Sequence, residues 1–167
     1  MRLQSLRVRN FKAIVDSKTV KLGPLSAFIG NNGAGKSSLI EALQTYQSIV
    51  LDGLDLAMQR WLGIEHIRHK GQEVKERLGK LVNPISFQLA IGESARKARR
   101  IELSVSNDAA ANRMFISAER ISRADGSWID REQIGAIATF GTGRSILTGA
   151  RGSRASLSAG VSEADAI

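Results

Sequence analysis

A chain of 167 residues with 43% apolar side chains is long enough for one domain with its own hydrophobic core. It contains no cysteine, which excludes a disulfide framework, a thiolate zinc site and a cysteine nucleophile, and its net charge of +8 makes it a protein that attracts anions. No window approaches the roughly 18 uninterrupted apolar residues of a membrane span, and the first residues form a charged alternating pattern instead of a signal peptide, so a cytoplasmic protein without membrane contact is expected.

Leu6 and Val8 alternate with Arg7 and Arg9, and Val20 and Leu22 close a second extended segment, so residues 3 to 22 read as two paired strands with a turn at Asp16-Ser17. After Gly23-Pro24, the run Leu25-Ser26-Ala27-Phe28-Ile29 reads as a short buried central strand ending at Gly30. From Ser37 onward Leu39, Leu43, Tyr46 and Val50 recur at helical spacing beside Ile40, which predicts a helix lying on the sheet. Ile49-Val50-Leu51-Asp52 has the look of an apolar strand ending in an acid, but it continues directly from that helix with no room for a crossover and reads as the helix end. Leu54, Met58, Trp61 and Leu62 predict a second helix, and Val74, Leu78 and Leu81 a third that finishes before Pro84, giving a helical excursion over residues 52 to 82. Ile85 to Ile91, Ile101 to Val105 and Met114 to Ile121 alternate as antiparallel strands before the turn dipeptide Asp125-Gly126. From Gly141 to Ile167 the composition shifts to Gly, Ser, Ala and Arg, so residues 1–140 read as the folded lobe and 141–167 as a poorly ordered tail.

The chemistry concentrates in Gly30-Asn31-Asn32-Gly33-Ala34-Gly35-Lys36-Ser37, which meets the pattern Gly-x-x-x-x-Gly-Lys-[Ser/Thr]. Glycines let the backbone turn its N–H groups onto a phosphate, and the helix that follows aims its positive end at the same anion. Lys36 is placed to neutralise phosphate oxygens and the Ser37 hydroxyl to ligate Mg²⁺. The phosphates of a purine nucleoside triphosphate with Mg²⁺ are therefore the expected ligand, with Gly30, Asn31, Asn32, Gly33, Ala34, Gly35, Lys36 and Ser37 as the binding loop.

Together with that loop, Asn10-Phe11-Lys12 and Leu39-Ile40-Glu41-Ala42-Leu43 make residues 3 to 50 resemble the amino-terminal head of the ATP-binding-cassette-like AAA ATPases. These include RecF, the heads of structural-maintenance-of-chromosomes proteins and the overcoming-lysogenisation-defect nucleases. The resemblance implies an α/β fold with a mixed, largely antiparallel sheet and a phosphate-loop helix. It implies ATP hydrolysis with Lys36 as a catalytic group, action on DNA in repair, chromosome maintenance or phage defence, and pairing of two heads or with a partner chain. It further implies Mg-ATP as the ligand, with Asn32, Gly33, Gly35, Lys36, Ser37 and Ser38 as the nucleotide-contacting residues, and places Lys12 in the segment that approaches base or ribose, although the default for a lysine is a solvated hairpin position. Asn-Lys-x-Asp and Asp-x-x-Gly, expected of a GTPase, do not occur, which favours ATP.

The family's hydrolytic Asp-Glu at the end of an apolar strand is not found in the sequence, and Leu157-Ser158-Ala159-Gly160 only partly resembles its signature segment and reads as a coincidence of composition. The alternative to an ATPase is thus a non-catalytic module that holds nucleotide or nucleic acid. Arg96-Lys97-Ala98-Arg99-Arg100 is the densest basic cluster and could meet a nucleic-acid backbone or be a solvated hairpin end. His66 and His69 beside Glu65 have metal-compatible spacing without a further ligand cluster, so surface or half-buried histidines are the default. Glu119 is assigned no catalytic role, and Trp61 and Trp128 read as packing residues.

Overall fold

The computed structural model describes residues 2–70, 75–77, 80–93, 98–108, 113–123, 126–134 and 137–140. The chain begins with strand β1 (Arg2–Phe11), followed by β2 (Ile14–Asp16) and β3 (Val20–Lys21), then helix α1 (Lys36–Asp52) and the short helix α2 (Leu54–Gln59). A small hairpin of β4 (Lys75–Arg77) and β5 (Lys80–Val82) precedes β6 (Ile85–Gly92), β7 (Arg99–Asp108), β8 (Arg113–Arg123), β9 (Gly126–Ile134) and β10 (Ile137–Phe140). Eight strands form one sheet in the order β10-β9-β8-β7-β6-β1-β2, with β3 also on β1. Every pairing among the described residues is antiparallel, as expected of a largely antiparallel sheet, and none of the parallel pairs of the expected mixed sheet occurs among them.

Register gives this sheet two chemically opposite faces, because side chains alternate along each strand. Leu6 pairs with Leu89, Leu89 with Ile101 and Ile101 with Ile121, while Val8, Phe87 and Leu103 form the next row. These residues are buried. The intervening row is Arg7, Gln88, Glu102 and Arg120, one from each of the same four strands.

Helix α1 covers the apolar face with a stripe of Leu39, Ala42, Tyr46 and Ile49, all buried at i, i+3, i+7 and i+10. Phe87 is the centre of that contact: its ring lies 6.0 Å from that of Tyr46 and 6.1 Å, edge-on, from that of Phe11. Asp52 is the last residue of α1, as its continuity with the helix predicts. Gly53 stops the helix with φ +86°, a conformation open to glycine, while its N–H bonds the Ile49 carbonyl at 3.1 Å. The second predicted helix is met in part by α2, which inserts Leu54, Ala57 and Met58 into the same core but ends at Gln59, so that Trp61 and Leu62 fall in the turn beyond it.

Three expectations are corrected. The first hairpin reverses at Lys12-Ala13, since Phe11 pairs with Ile14, and Asp16-Ser17 is instead a break in the returning strand. There the Ser17 hydroxyl accepts the Val8 N–H at 2.9 Å and the Asp16 carboxylate accepts the Lys18 N–H at 2.9 Å, so side chains replace ladder bonds. The third helix is not found among the described residues: Val74 and Leu78 lie outside them, and Lys75–Arg77 pairs antiparallel with Lys80–Val82, Arg77 opposite Lys80.

The third correction concerns Leu25–Ile29, which forms no strand; Leu25 is 92% and Ile29 95% exposed. A strand needs hydrogen-bonding neighbours, and the described sheet ends at β2 and β3 without adding this segment. The tail at 141–167 lies outside the described residues.

Phe87→Ala is expected to destabilise the fold by about 3–5 kcal/mol, because it empties the space between α1 and the sheet. Urea unfolding followed by far-ultraviolet circular dichroism measures it.

Candidate phosphate-binding site

The loop from Gly30 to Ser37 runs exposed from the end of the Leu25–Ile29 segment into the first turn of α1. Gly33 and Gly35 have φ of +85° and +83°, which strains any other residue. At Gly35 space is restricted as well: a Cβ would come within 3.3 Å of the Ile14 side chain. Gly35 is the N-cap of α1 and brings no side chain to its N–H groups, and the first turn holds no acidic residue. The first intrahelical bond runs from the Leu39 N–H to the Gly35 carbonyl at 3.0 Å. The preceding N–H groups of α1 thus form an uncapped, positively polarised end without a competing carboxylate.

Lys36 is the first residue of this helix, and its ammonium donates to the carbonyls of Gly30 at 2.7 Å and Asn31 at 2.8 Å. The loop is closed further by the Ala34 N–H bonding the Asn31 carbonyl at 3.2 Å. Ser37 is exposed at the helix end, whereas Ser38 turns inward and is buried. Asn31, Asn32, Gly33 and Ala34 are exposed along the loop. Nine consecutive residues thereby bring together glycine turns, a helix end, a cation and a hydroxyl.

Beside the loop lies a cleft of about 470 Å³ between the β1–β2 hairpin and the Leu25–Ile29 segment, lined by Ile14, Asp16, Phe28, Ile29 and Lys36 among others. Asp16 would repel an anionic ligand if its charge were free. Instead Arg7 grips it with two hydrogen bonds of 2.9 and 2.7 Å, and Lys18 stands 3.2 Å away. The Arg7 hydrogen bonds hold the Asp16 carboxyl well below the usual carboxylate range. No sequence signal paired Arg7 with Asp16, since their contact depends on where the hairpin turns.

Lys12 sits in the β1–β2 hairpin turn, half-buried. Its ammonium pairs with Glu41 of α1 at 2.9 Å and rests 3.8 Å from the centre of the Trp61 ring, tying the β1–β2 turn to α1. Trp61 packs against the hydrophobic core, as a packing residue should. His69 also serves the turn: its Nδ1 lies 2.7 Å from the Lys12 carbonyl, and its N–H donates to the Asn10 carbonyl at 3.0 Å. Among the described residues no group of three or more His, Cys, Asp or Glu is placed to hold a metal ion. Glu119 is fully buried in β8 and does not line the cleft. Burial, with the added effect of the Glu119 charge, pushes the Tyr46 phenol up to about 12. Arg96, Lys97 and residues 157–160 lie outside the described residues, as does the Trp128 side chain. No helix of the described residues is long and apolar enough to cross a membrane.

The family model for the AAA ATPase domain matches residues 1–115 of the chain. No curated protein and no solved structure gives a significant match.

Because the folded-state pKa of Asp16 is depressed, its pairing stabilises the fold fully above the unfolded-state pKa of about 3.9 and is lost as pH falls below it. Asp16→Asn is expected to lower the melting temperature at pH 7 and to flatten its decline below about pH 4. Thermal melts across that range, wild type against variant, read both effects.

Proposed function

The chain belongs to the AAA ATPase domain family, and we propose that its loop from Gly30 to Ser38 binds ATP with Mg²⁺. The observation that carries this reading is the uncapped end of α1, with Lys36 and Ser37 in its first turn behind a loop turned by Gly33 and Gly35. Such an end leaves several N–H donors for one polyphosphate, and the positive φ at both glycines keeps side chains out of the space it would fill. Lys36 already holds two carbonyls of its own loop, so it is positioned across the loop before any ligand arrives. On binding, its ammonium would exchange those carbonyls for phosphate oxygens, a stronger charge-assisted contact. Ser37 would hold Mg²⁺, which supplies neutralisation of the phosphate charge when bound.

Family membership supports hydrolysis as the activity, with Lys36 stabilising the charge on the transferring phosphate. The finer reading is an ATP-binding-cassette-like head of the RecF, chromosome-maintenance or overcoming-lysogenisation-defect kind, acting on DNA. It rests on the Asn10-Phe11-Lys12 element, the loop and Leu39-Ile40-Glu41-Ala42-Leu43. Lys12 and Glu41, one from each flanking element, are joined by an ion pair. Turnover would draw its water-activating carboxylate and signature segment from a second head or another segment. A second reading, nucleotide held without turnover, is favoured by the unpaired, exposed state of Leu25–Ile29 immediately before the loop.

Lys36→Ala is expected to weaken binding of a fluorescent ATP analogue by about 10–100-fold, the loss of one or more charge-assisted hydrogen bonds. Equal affinity would overturn the site. Steady phosphate release that disappears in the variant supports the ATPase, whereas tight binding without release supports the non-catalytic reading.

A further inference from the structure

The sheet face opposite α1 forms a groove of about 830 Å³ across β1, β6, β7 and β8, with β3 at its margin. Its lining includes five cations, Arg2, Arg7, Lys21, Arg100 and Arg120, against one acid, Glu102. Arg7 is committed to Asp16, and Glu102 lies 3.8 Å from Arg120 and accepts a hydrogen bond from Gln88 at 3.3 Å. Arg2, Lys21 and Arg100 make no ion pair among the described residues. Gln4, also in the lining, has an amide nitrogen without a hydrogen-bond partner.

We propose that this face docks duplex DNA through its phosphate backbone, a surface separate from the nucleotide loop. The proposal rests on the reading that the chain acts on DNA, and gives that reading a location. The argument is first one of spread. Arg2 and Arg7 are five residues apart on β1, about 17 Å of strand, and Arg7 and Arg120 are three strand spacings apart, about 14 Å. A small anion needs cations that converge, whereas phosphates on either side of a groove about 12 Å wide need them distributed at this scale. The second argument is composition. Apart from the one acid Glu102, the lining is arginine, lysine, amide, hydroxyl and aliphatic, without the aromatic platforms on which single-stranded bases stack. Cations and neutral donors on a regular sheet make contacts of the kind that position a duplex without reading its bases.

The topology separates the two sites. The groove lines up on the face formed by Arg7, Gln88, Glu102 and Arg120, whereas α1 packs its stripe on the other face, against Phe87. The basic run at Arg96 to Arg100 contributes Arg100 to the groove.

The full-length chain is titrated into a short fluorescein-labelled duplex over a series of KCl concentrations, reading anisotropy. The combined variant Arg2→Gln, Lys21→Gln, Arg100→Gln is expected to lower the slope of log affinity against log salt by about 2–3 and to weaken binding, because up to three phosphate contacts are lost. Binding of the fluorescent ATP analogue by that variant should be unchanged, which also shows that it is folded. Glu102→Gln removes the acid from the lining and should tighten duplex binding. Unaltered slope and affinity in the triple variant, no gain in Glu102→Gln, or equal affinity for single-stranded DNA or heparin would each overturn the proposal. Lys36→Ala should retain nucleotide-free duplex binding, so a failed nucleotide site and a failed DNA face give different results.

Discussion

The seat of α1 on the apolar face of the sheet is the contact on which the rest of this structure depends. Phe87 stands between Phe11 of β1 and Tyr46 of α1, and thereby joins the amino-terminal hairpin, the helix and the later strands into one core. Because α1 starts at Lys36, the same packing that buries Leu39, Ala42, Tyr46 and Ile49 fixes where the Gly30–Ser37 loop ends. A helix is rigid along its length, so anchoring its middle turns aims its amino-terminal N–H groups. The Lys12–Glu41 pair under Trp61 adds a second tether one turn into the helix.

From that seat the division of labour between the two sheet faces follows. Period-two alternation in β1, β6, β7 and β8 sends Leu, Ile, Val and Phe to the helix and Arg, Gln and Glu to the other side. One departure is Glu119, fully buried in the row of Val8, Phe87 and Leu103, where it bears on the Tyr46 phenol. The Tyr46 hydroxyl has no hydrogen-bond partner, an orphaned polar group at the centre of the helix–sheet contact. The cleft beside the loop is neutralised by the hairpin, since Arg7 projects from β1 to the Asp16 carboxylate at its margin.

Much of this was legible in the residues. The alternation of Ile85 to Ile91, Ile101 to Val105 and Met114 to Ile121 specified β6, β7 and β8, and the 3.6-residue spacing from Leu39 specified α1. The loop declared itself because its requirements are local: glycine where φ is positive, then lysine and serine at a helix start. The errors share a cause as well. At Asp16-Ser17 and in the strands Lys75–Arg77 and Lys80–Val82 a local pattern was consistent with two backbone paths, and pairing partners chose between them. Leu25–Ile29 reads apolar and extended, yet sequence records nothing about whether a neighbouring strand is there to receive it.

The sequence by itself determined the elements whose physics is local: the alternating strands, the amphipathic helix and the glycine-lysine-serine loop between Gly30 and Ser37. Tertiary structure alone decided the all-antiparallel pairing, the turn at Lys12-Ala13, the Arg7–Asp16 and Lys12–Glu41 ion pairs and the gathering of Arg2, Lys21 and Arg100 on one face. Periodicity and φ preferences act within a few residues, whereas strand order, ion pairing and charge clustering join groups from distant parts of the chain, and only the folded backbone sets those distances.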